Sequence, residues 1–182
     1  MMRVLLTDLP TLDALLEGHA AALGPDFTAY RNHTYRVMNF CAVLARPDGE
    51  TTLQKIAIAA GFHDIGIWTG HTFDYVPPSE RLAQSYLMQT GRAHWAPEIG
   101  AMIHEHHKIT RYRTNPHWLV EAFRRADLVD VSRGIITFGL RREFLRETFS
   151  AFPNAGFHKR LMQLFLQRFL RHPLHPLPMY RL

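Results

Sequence analysis

The sequence predicts a single all-α domain, because apolar residues recur at helical spacing along most of its 182 residues. Residues 26–46 illustrate the pattern, since Tyr30, Val37 and Leu44 fall on one stripe. β-branched residues are scattered within such stripes and do not alternate with polar residues, so the pattern favours no strand. Hydrophobic residues make up 47% of the chain and charged residues 20%, which is typical of a globular protein with a sizeable core.

Capping residues and helix breakers divide the chain into eight predicted helices. Thr51 or Thr52 is the candidate N-cap of the third helix and Ser79 that of the fourth, while Asn115 precedes a proline and opens the sixth. A loop at 66–78, rich in Gly, Thr, His and Pro, separates the third helix from the fourth. The predicted helices cover approximately residues 10–22, 26–46, 51–65, 79–90, 95–108, 115–134, 139–150 and 157–171.

Residues 1–171 are predicted to form the domain, and the proline-rich segment 172–182 to form an extended tail. The one cysteine, Cys41, cannot form an internal disulfide or a thiolate metal site, so any metal must be bound by nitrogen and oxygen. We expect no signal peptide and no spanning helix, since no apolar run reaches the roughly 18 residues that such a helix needs. A cytoplasmic location fits this cysteine usage.

The chain has a net charge of +5 with histidines neutral, and it contains 12 histidines. The positive charge indicates either an ordinary solvated surface or an attraction to anions such as phosphate esters. No nucleic-acid-binding module is recognisable, so neither nucleic acid nor a membrane is an expected partner, while a homodimer stays open. Histidine is the commonest side-chain metal ligand, so the positions of the histidines carry the functional argument.

The adjacent residues His63 and Asp64 end an apolar helix, KIAIAAGFHDIG, and leave it on its core-facing side. A buried carboxylate needs a partner or a metal ion, because its desolvation is costly. His33, His106 and Asp127 lie on the core-facing stripes of three other predicted helices. Each alone is more often a structural residue, but together they indicate a site where several helices hold a divalent cation.

At these residues the chain resembles the HD superfamily of metal-dependent phosphohydrolases, whose signature is one His, an adjacent His-Asp pair and a distant Asp. The matching segments are YRNHTYRV with His33, GFHDIGIW with His63 and Asp64, and RRADLVDVSRG with Asp127, within residues 26–138. The resemblance implies a helical bundle around a metal ion, which would be Mn, Co, Ni, Zn, Mg or Fe, held by these four residues. It also implies hydrolysis of a phosphate ester or anhydride, such as a nucleotide or a small phosphorylated metabolite.

Two features limit what the resemblance implies. The segment HHKITRYRTNP lacks the GYP motif of the second-messenger branch, so cyclic-di-GMP hydrolysis is not supported. Asp130 lies one helical turn beyond Asp127 and is its rival as the last ligand. The resemblance favours Asp127, since sequences of this type usually use the first Asp.

Some members of the superfamily bind a second metal through two further histidines. His94 and His106 are the best candidates here, although they are closer in sequence than is usual, and His71 is an alternative to His94. His104 and His107 flank His106 and point elsewhere on its helix, so their entry into the site stays open.

The implied reaction also needs groups that move protons and bind phosphate. Asp64 is expected to orient water as well as bind metal, and His71 or His107 to protonate the leaving group. Lys108 and Arg111 follow the helix of His106 and are the best candidates for phosphate contacts, with Arg36 near His33 as a third. Aromatic residues near the site can stack on a base or simply pack in loops. They are Trp68, Phe73, Tyr75, Tyr112 and Trp118.

Two other functions stay open from the sequence. A di-iron oxygenase on the same fold would need the two additional histidines and would consume oxygen. A non-catalytic sensor or interaction domain would use the same ligands for a structural metal ion, since fold does not determine function.

Overall fold

The computed structural model describes residues 5–46, 49–72, 74–171 and 173. Within these residues all regular structure is helical and no strand occurs, which confirms the predicted fold class. Three features of the sequence lie outside the described residues, namely the predicted helix break at 47–48, Phe73 and nearly all of the predicted tail. The described α-helices are α1 (Pro10–Glu17), α2 (Ala20–Leu23), α3 (Phe27–Ala45), α4 (Glu50–Phe62), α5 (Gly66–Thr69), α6 (Val76–Gln89), α7 (Ala96–Glu105), α8 (Val120–Val131), α9 (Arg142–Ala151) and α10 (Phe157–Arg171), with 3-10 turns at Gly24–Asp26 and Ala93–Trp95.

The central helix is α3, which packs against α4 on one side and α8 on the other. Its buried polar side chains have partners, as burial requires. Asn39 Nδ2 donates to Leu6 O at 2.9 Å, and Asn39 Oδ1 accepts from Leu6 N at 2.9 Å. Tyr35 donates its hydroxyl hydrogen to Asp13 Oδ2 at 2.6 Å, which ties α1 to α3.

Helix α7 packs against both α4 and α8, so α3, α4, α7 and α8 surround one interior region. Fully buried apolar side chains from all four helices line it, including Phe40, Ile56, Met102 and Phe123. Burying each such side chain contributes about 1.5–3 kcal/mol of transfer free energy, which holds the helix positions around the interior. Among the described residues, no helix is long and apolar enough to span a membrane.

The connection from α4 to α6 depends on a glycine. Residues 66–69, predicted as loop, form the short helix α5, and a Cβ on Gly66 would lie 2.3 Å from Tyr75 O. Helix α6 starts three residues before Ser79, because Pro77 and Pro78 fit its first turn, where an N–H is not needed. Ser79 is therefore not the N-cap; its Oγ accepts a hydrogen bond from Gly66 N at 2.9 Å.

Two other predicted helix starts are also wrong. Helix α4 begins at Glu50, so neither Thr51 nor Thr52 is its N-cap. Helix α8 begins at Val120, because Asn115 caps only a local turn and its Oδ1 accepts from His117 N at 3.2 Å.

Candidate metal centre

Four polar side chains from three helices converge in the interior between α3, α4, α7 and α8. His33 is in the middle of α3, His63 caps the C-terminus of α4, Asp64 follows it, and Asp127 lies in α8. Each of the four is at most 3% exposed. These are the four ligands that the resemblance implies, and the structure brings all of them together.

The donor atoms of these residues lie close to one another. His33 Nε2 is 2.9 Å from His63 Nε2, 3.6 Å from Asp64 Oδ2 and 3.8 Å from Asp127 Oδ1. His63 Nε2 is 3.6 Å from Asp64 Oδ2 and 3.7 Å from Asp127 Oδ1. Ligands that bind one cation at about 2.0–2.2 Å lie roughly 3–3.5 Å apart, so small movements would bring these atoms around one ion.

Hydrogen bonds on the far side of each ring direct the Nε2 atoms inward. His33 Nδ1 donates to Asp130 Oδ2 at 2.6 Å, and His63 Nδ1 donates to Ala60 O at 2.8 Å. The tautomers are inferred from these acceptors. With both Nδ1 atoms donating, both Nε2 atoms present lone pairs to each other at 2.9 Å. A proton or a cation must therefore lie between them, and this arrangement is typical of metal-ligating histidines.

The electrostatics of the cluster agree with this geometry. Burial alone would lower the pKa of His33, but the hydrogen bond to Asp130 and the nearby Asp64 carboxylate raise it to about 9. Burial likewise opposes ionisation of Asp64 and Asp127, yet the surrounding imidazoles, His63 above all, lower the pKa of both carboxyl groups. The cluster therefore holds two ionised carboxylates stabilised by the surrounding imidazoles, and a bound divalent cation would supply the same positive charge.

The structure separates the roles of Asp127 and Asp130. Asp127 Oδ1 faces the two Nε2 atoms and has no hydrogen-bond partner among the described residues. Asp130 lies behind His33 and pairs with Arg36, whose Nε donates to Oδ1 and whose Nη2 donates to Oδ2 at 2.9 Å. The placement favours Asp127 as the ligand and makes Asp130 the residue that orients His33.

Arg36 is not available to a substrate, contrary to the sequence-based expectation. Its side chain is fully buried, and besides the pair with Asp130 it donates to Phe152 O at 2.9 Å. A guanidinium fixed by a buried carboxylate and a carbonyl has a structural role.

A second group of donors adjoins the first and shares Asp64 with it. His106 Nε2 lies 3.3 Å from Asp64 Oδ1, and neither atom has a hydrogen-bond partner in the described part of the chain. His106 Nδ1 donates to Ile103 O at 2.6 Å, which turns Nε2 toward Asp64. One donor atom each from Asp64, His106 and His107 lie close enough to hold a further cation.

Other predicted histidines lie outside the cluster. His94 is exposed in the turn before α7, where its ring packs against Trp95, so it is not the partner of His106 in a second site. His71 is exposed in the segment after α5 and lines a different cavity. His104 points away from the interior, with Nδ1 3.8 Å from Glu80 Oε2. The positions of these histidines depend on where helices end and how turns are shaped, and helical periodicity alone does not predict either.

A cavity of about 190 Å³ adjoins Asp127 and the two histidines at the end of α7. Lys108 lines it, with its Nζ 3.6 Å from Glu105 Oε2. Arg111 is exposed and is not part of the lining, so the structure brings only the first of these two predicted phosphate contacts to the site. The remaining lining residues are His106, His107, Ile109, Arg124, Asp127, Leu128 and Val131.

Aromatic rings support the histidines from outside the motif. Phe157, at the start of α10, stacks on His33 with ring centroids 4.0 Å apart, and Tyr30 packs beside both His33 and His63. Tyr75 and His107 share a hydrogen bond of 2.5 Å between Oη and Nε2. Sequence reasoning missed the role of Phe157, because nothing in its local pattern links it to a residue more than a hundred positions earlier.

Among the other aromatic candidates, Trp68 is buried and donates its Nε1–H to Asp26 Oδ2 at 2.9 Å, and Tyr112 is also buried. Trp118 is partly buried and packs against the core.

The fold and the site together define a helical protein with a buried His/Asp cluster that can hold a metal ion, which is compatible with an HD-like fold. No protein-family model matches the chain, no curated protein matches it, and no solved structure matches it. The resemblance to the HD superfamily therefore depends on the cluster residues, their order along the chain and their helical setting.

Proposed function

We propose that the protein is a metal-dependent phosphohydrolase that acts on a small phosphate ester or anhydride. The observation that carries the proposal is the donor group of His33, His63 and Asp64, in which the two Nε2 atoms lie 2.9 Å apart. Asp127 Oδ1 lies 3.8 Å and 3.7 Å from those two Nε2 atoms. A set of two imidazoles and two carboxylates suits Mn, Co, Ni, Zn, Mg or Fe, all of which accept nitrogen and oxygen ligands. Bound there, a divalent cation supplies Lewis acidity that polarises a phosphoryl oxygen and activates water near neutral pH.

The cavity beside Asp127 supports a small anionic substrate. The cavity adjoins the cluster, and Lys108 contributes a cationic side chain to its wall. Arg124 also lines it, but its guanidinium is bound to Glu121 Oε2 at 2.9 Å and to Lys108 O at 3.0 Å. In this proposal Lys108 binds the phosphate, while Arg124 fixes the backbone that positions it.

The proposal also changes the expected part of His107. Burial, together with the neighbouring His106, lowers the pKa of His107 to about 3, so its ring is neutral near pH 7. A neutral imidazole accepts a proton and does not donate one as a strong acid. His107 Nε2 shares its hydrogen bond with Tyr75 Oη, and His107 Nδ1 lies 3.8 Å from Asp127 Oδ2. In this proposal a neutral His107 accepts a proton or binds the metal, and the leaving-group role that the sequence predicts for it stays a prediction.

Metal content and activity measured on the same preparations test the proposal. Protein purified without a chelator or a metal-binding tag should contain about one divalent ion per chain and hydrolyse members of a nucleotide and phosphomonoester panel. His63→Ala and Asp64→Asn should lose both metal and activity, whereas His104→Ala, outside the cluster, should keep both. Activity and metal that survive in Asp64→Asn would contradict the proposal. Bound metal without activity on any panel member would favour the non-catalytic alternative.

The second donor group favours one alternative enzyme. Asp64, His106 and His107 adjoin the first group, so two cations can share Asp64, as a di-iron oxygenase requires. Two iron ions per chain, with oxygen consumption that His106→Ala abolishes, would replace the hydrolase proposal with the oxygenase. One divalent ion and no oxygen consumption would exclude this alternative.

A further inference from the structure

A second cavity, of about 320 Å³, is lined by α5, the segment that follows it, and α10. Its wall includes His71 and Thr72 on one side and Arg160, Arg168 and Arg171 on the other. None of the cluster ligands lines it, so it is distinct from the metal centre. We refer to it as the arginine cavity.

The three arginines form one stripe of α10. Arg168 and Arg171 follow Arg160 by 8 and 11 residues, which are spacings that return to the same face of a helix. Residues 148–182 contain five of the 21 Lys and Arg residues and no Asp or Glu. Residues 1–147 contain the other 16 Lys and Arg residues and all 16 Asp and Glu residues. The whole net charge of +5 therefore belongs to this C-terminal segment, and three of its five cations line the arginine cavity.

Protein carboxylates neutralise this charge only in part. Arg160 Nε lies 3.1 Å from Asp26 Oδ2, and that same oxygen also accepts a hydrogen bond from Trp68 Nε1. The Arg160 N–H is not directed at the carboxylate, so this contact is an ion pair without a hydrogen bond. Arg168 and Arg171 form no ion pair within the part of the chain that the structure describes.

A buried donor also faces this region without an acceptor. Arg168 Nε is inaccessible to solvent and has no hydrogen-bond partner among the described residues. Buried N–H groups are nearly always satisfied in folded proteins, so this donor can serve an acceptor that the cavity binds. Guanidinium groups match phosphate oxygens well, because they donate two parallel hydrogen bonds.

The opposite wall carries backbone strain. His71 has φ of +49°, in the left-handed region that non-glycine residues rarely adopt. Strained residues of this kind cluster at ligand-binding positions, where the surrounding structure holds them. His71 is exposed and is among the residues that line the cavity.

We propose that the arginine cavity binds a small molecule with two linked phosphate groups, such as the diphosphate part of a nucleotide. Its volume lies at the lower end of the range of small-molecule sites, which run from about 300 to 1,000 Å³. Arg160, Arg168 and Arg171 supply the donors, and His71 and Thr72 close the opposite side. The cavity contains none of the cluster ligands, so pyrophosphate binding tests this proposal separately from the hydrolase activity. The ligand is either a separate effector or a distal part of the substrate, and both share this chemistry.

Calorimetric titration of the full chain with inorganic pyrophosphate, in excess EDTA, tests the proposal. EDTA prevents the probe from binding through a metal ion at the cluster. We expect saturable binding of one pyrophosphate per chain, weakened at least about tenfold by the double variant Arg168→Gln, Arg171→Gln. Arg81→Gln, at an exposed arginine on α6, is the matched control and should leave binding unchanged. Circular dichroism should show the same helical content in all variants.

Three results would overturn the proposal. They are no saturable binding at low ionic strength, binding that the double variant leaves unchanged, and equal weakening by Arg81→Gln. If binding is confirmed, competition distinguishes the two sources of the ligand. A substrate that displaces pyrophosphate shows that the cavity holds a distal part of the substrate, whereas hydrolysis kinetics altered by pyrophosphate without displacement show an effector site.

Discussion

Asp130 Oδ2 accepts a hydrogen bond of 2.6 Å from His33 Nδ1 while the same carboxylate pairs with the buried guanidinium of Arg36. The carboxylate therefore does two things at once. It fixes the tautomer that points His33 Nε2 at the cluster, and it neutralises a charge in the core. Residues that orient a metal-ligating histidine in this way typically matter nearly as much as the ligands themselves.

Asp130→Asn should lower both metal affinity and stability. The amide cannot neutralise Arg36, and leaving one partner of a buried ion pair uncompensated costs about 3–5 kcal/mol. Loss of the carboxylate behind His33 should weaken metal binding about 10- to 100-fold. Urea unfolding measures the first effect, and metal titration of the folded variant measures the second.

A double variant separates the two effects. Arg36→Met combined with Asp130→Asn removes both charges, so it should recover much of the lost stability, because a buried pair can often be replaced by apolar groups. Metal affinity should stay low, because His33 still lacks its carboxylate. Recovery of metal affinity along with stability would show that Asp130 acts only through the fold.

The sequence predicts the inward-facing residues well because that information is local. His33 and Asp127 fall on apolar stripes, and helical periodicity alone directs both toward the interior. The i, i+3 spacing of His33 with Arg36, and of Asp127 with Asp130, is also visible in the sequence and indicates that each pair shares a helix face. What periodicity does not specify is which residues meet across the two helices, since Arg36 and Asp130 are 94 positions apart.

Residues outside regular helices were the least predictable. His71 and His94 were plausible site residues from their place in the chain, yet both are exposed, in turns whose direction depends on tertiary packing. The stacking of Phe157 on His33 is equally non-local. Prediction therefore succeeded for side chains on or directly after a helix whose apolar stripe faces the interior, such as His33, His63 and Asp127. It failed for His71 and His94, which lie farther from such a stripe.

Gly66→Ala should destabilise the protein and weaken metal binding. A Cβ at this position would lie 2.3 Å from Tyr75 O and 2.9 Å from Ser79 Oγ, and the first of these is backbone that cannot move aside easily. Overpacking of this kind typically costs about 1–3 kcal/mol. Because Gly66 directly follows the segment that carries Asp64, the displacement should also reach the cluster. Thermal unfolding and metal titration measure the two effects.

Gly49→Ala is the matched control for this prediction. Its backbone is extended, with φ of 177°, and among the described residues, chain neighbours aside, no atom lies within 4 Å of an added Cβ. Although Gly49 is the N-cap of α4, where Ala is less favourable, the substitution should cost less than Gly66→Ala because it creates no clash. If Gly66→Ala is as stable as Gly49→Ala, the close approach of α5 to the start of α6 is not a constraint on the fold.

Lys108→Gln should raise KM for the phosphorylated substrate about tenfold or more while metal content stays unchanged. The side chain lines the cavity beside Asp127 but does not belong to either donor group, so its loss should affect substrate binding alone. One charge-assisted hydrogen bond contributes about 1.5–3 kcal/mol, which corresponds to roughly 10- to 150-fold in affinity. Steady-state kinetics with elemental analysis provide the measurement.

Arg111→Gln removes the same charge from an exposed residue that does not line the cavity. Its KM should match that of the parent protein within twofold or so, since a distant exposed charge is screened by salt. Equal effects of the two substitutions would mean that general electrostatic attraction, and not a specific contact of Lys108, determines substrate binding.

Glu121→Gln should destabilise the protein near neutral pH and have little effect in acid. Glu121 accepts hydrogen bonds from Tyr112 N at 2.9 Å, from Arg124 and from Arg125 Nε at 2.7 Å. Burial alone would raise the pKa of Glu121, but the hydrogen bond from Arg124, with that from Tyr112 N, lowers the pKa below its ordinary value of 4.5. A carboxyl group whose pKa is lower in the folded state stabilises the protein above the unfolded-state pKa, and this stabilisation is lost as the pH falls through the folded-state pKa.

The difference in unfolding free energy between the parent protein and Glu121→Gln should therefore be largest near pH 7 and decline below about pH 4.5. We expect about 1 kcal/mol at neutral pH, because solvent screens the partly exposed ion pairs. Urea unfolding of both proteins across this range gives the difference directly, and effects of other acidic groups cancel in the comparison. A difference that stays constant from neutral to acidic pH would show that Glu121 stabilises the turn before α8 through packing, and that its charge contributes nothing.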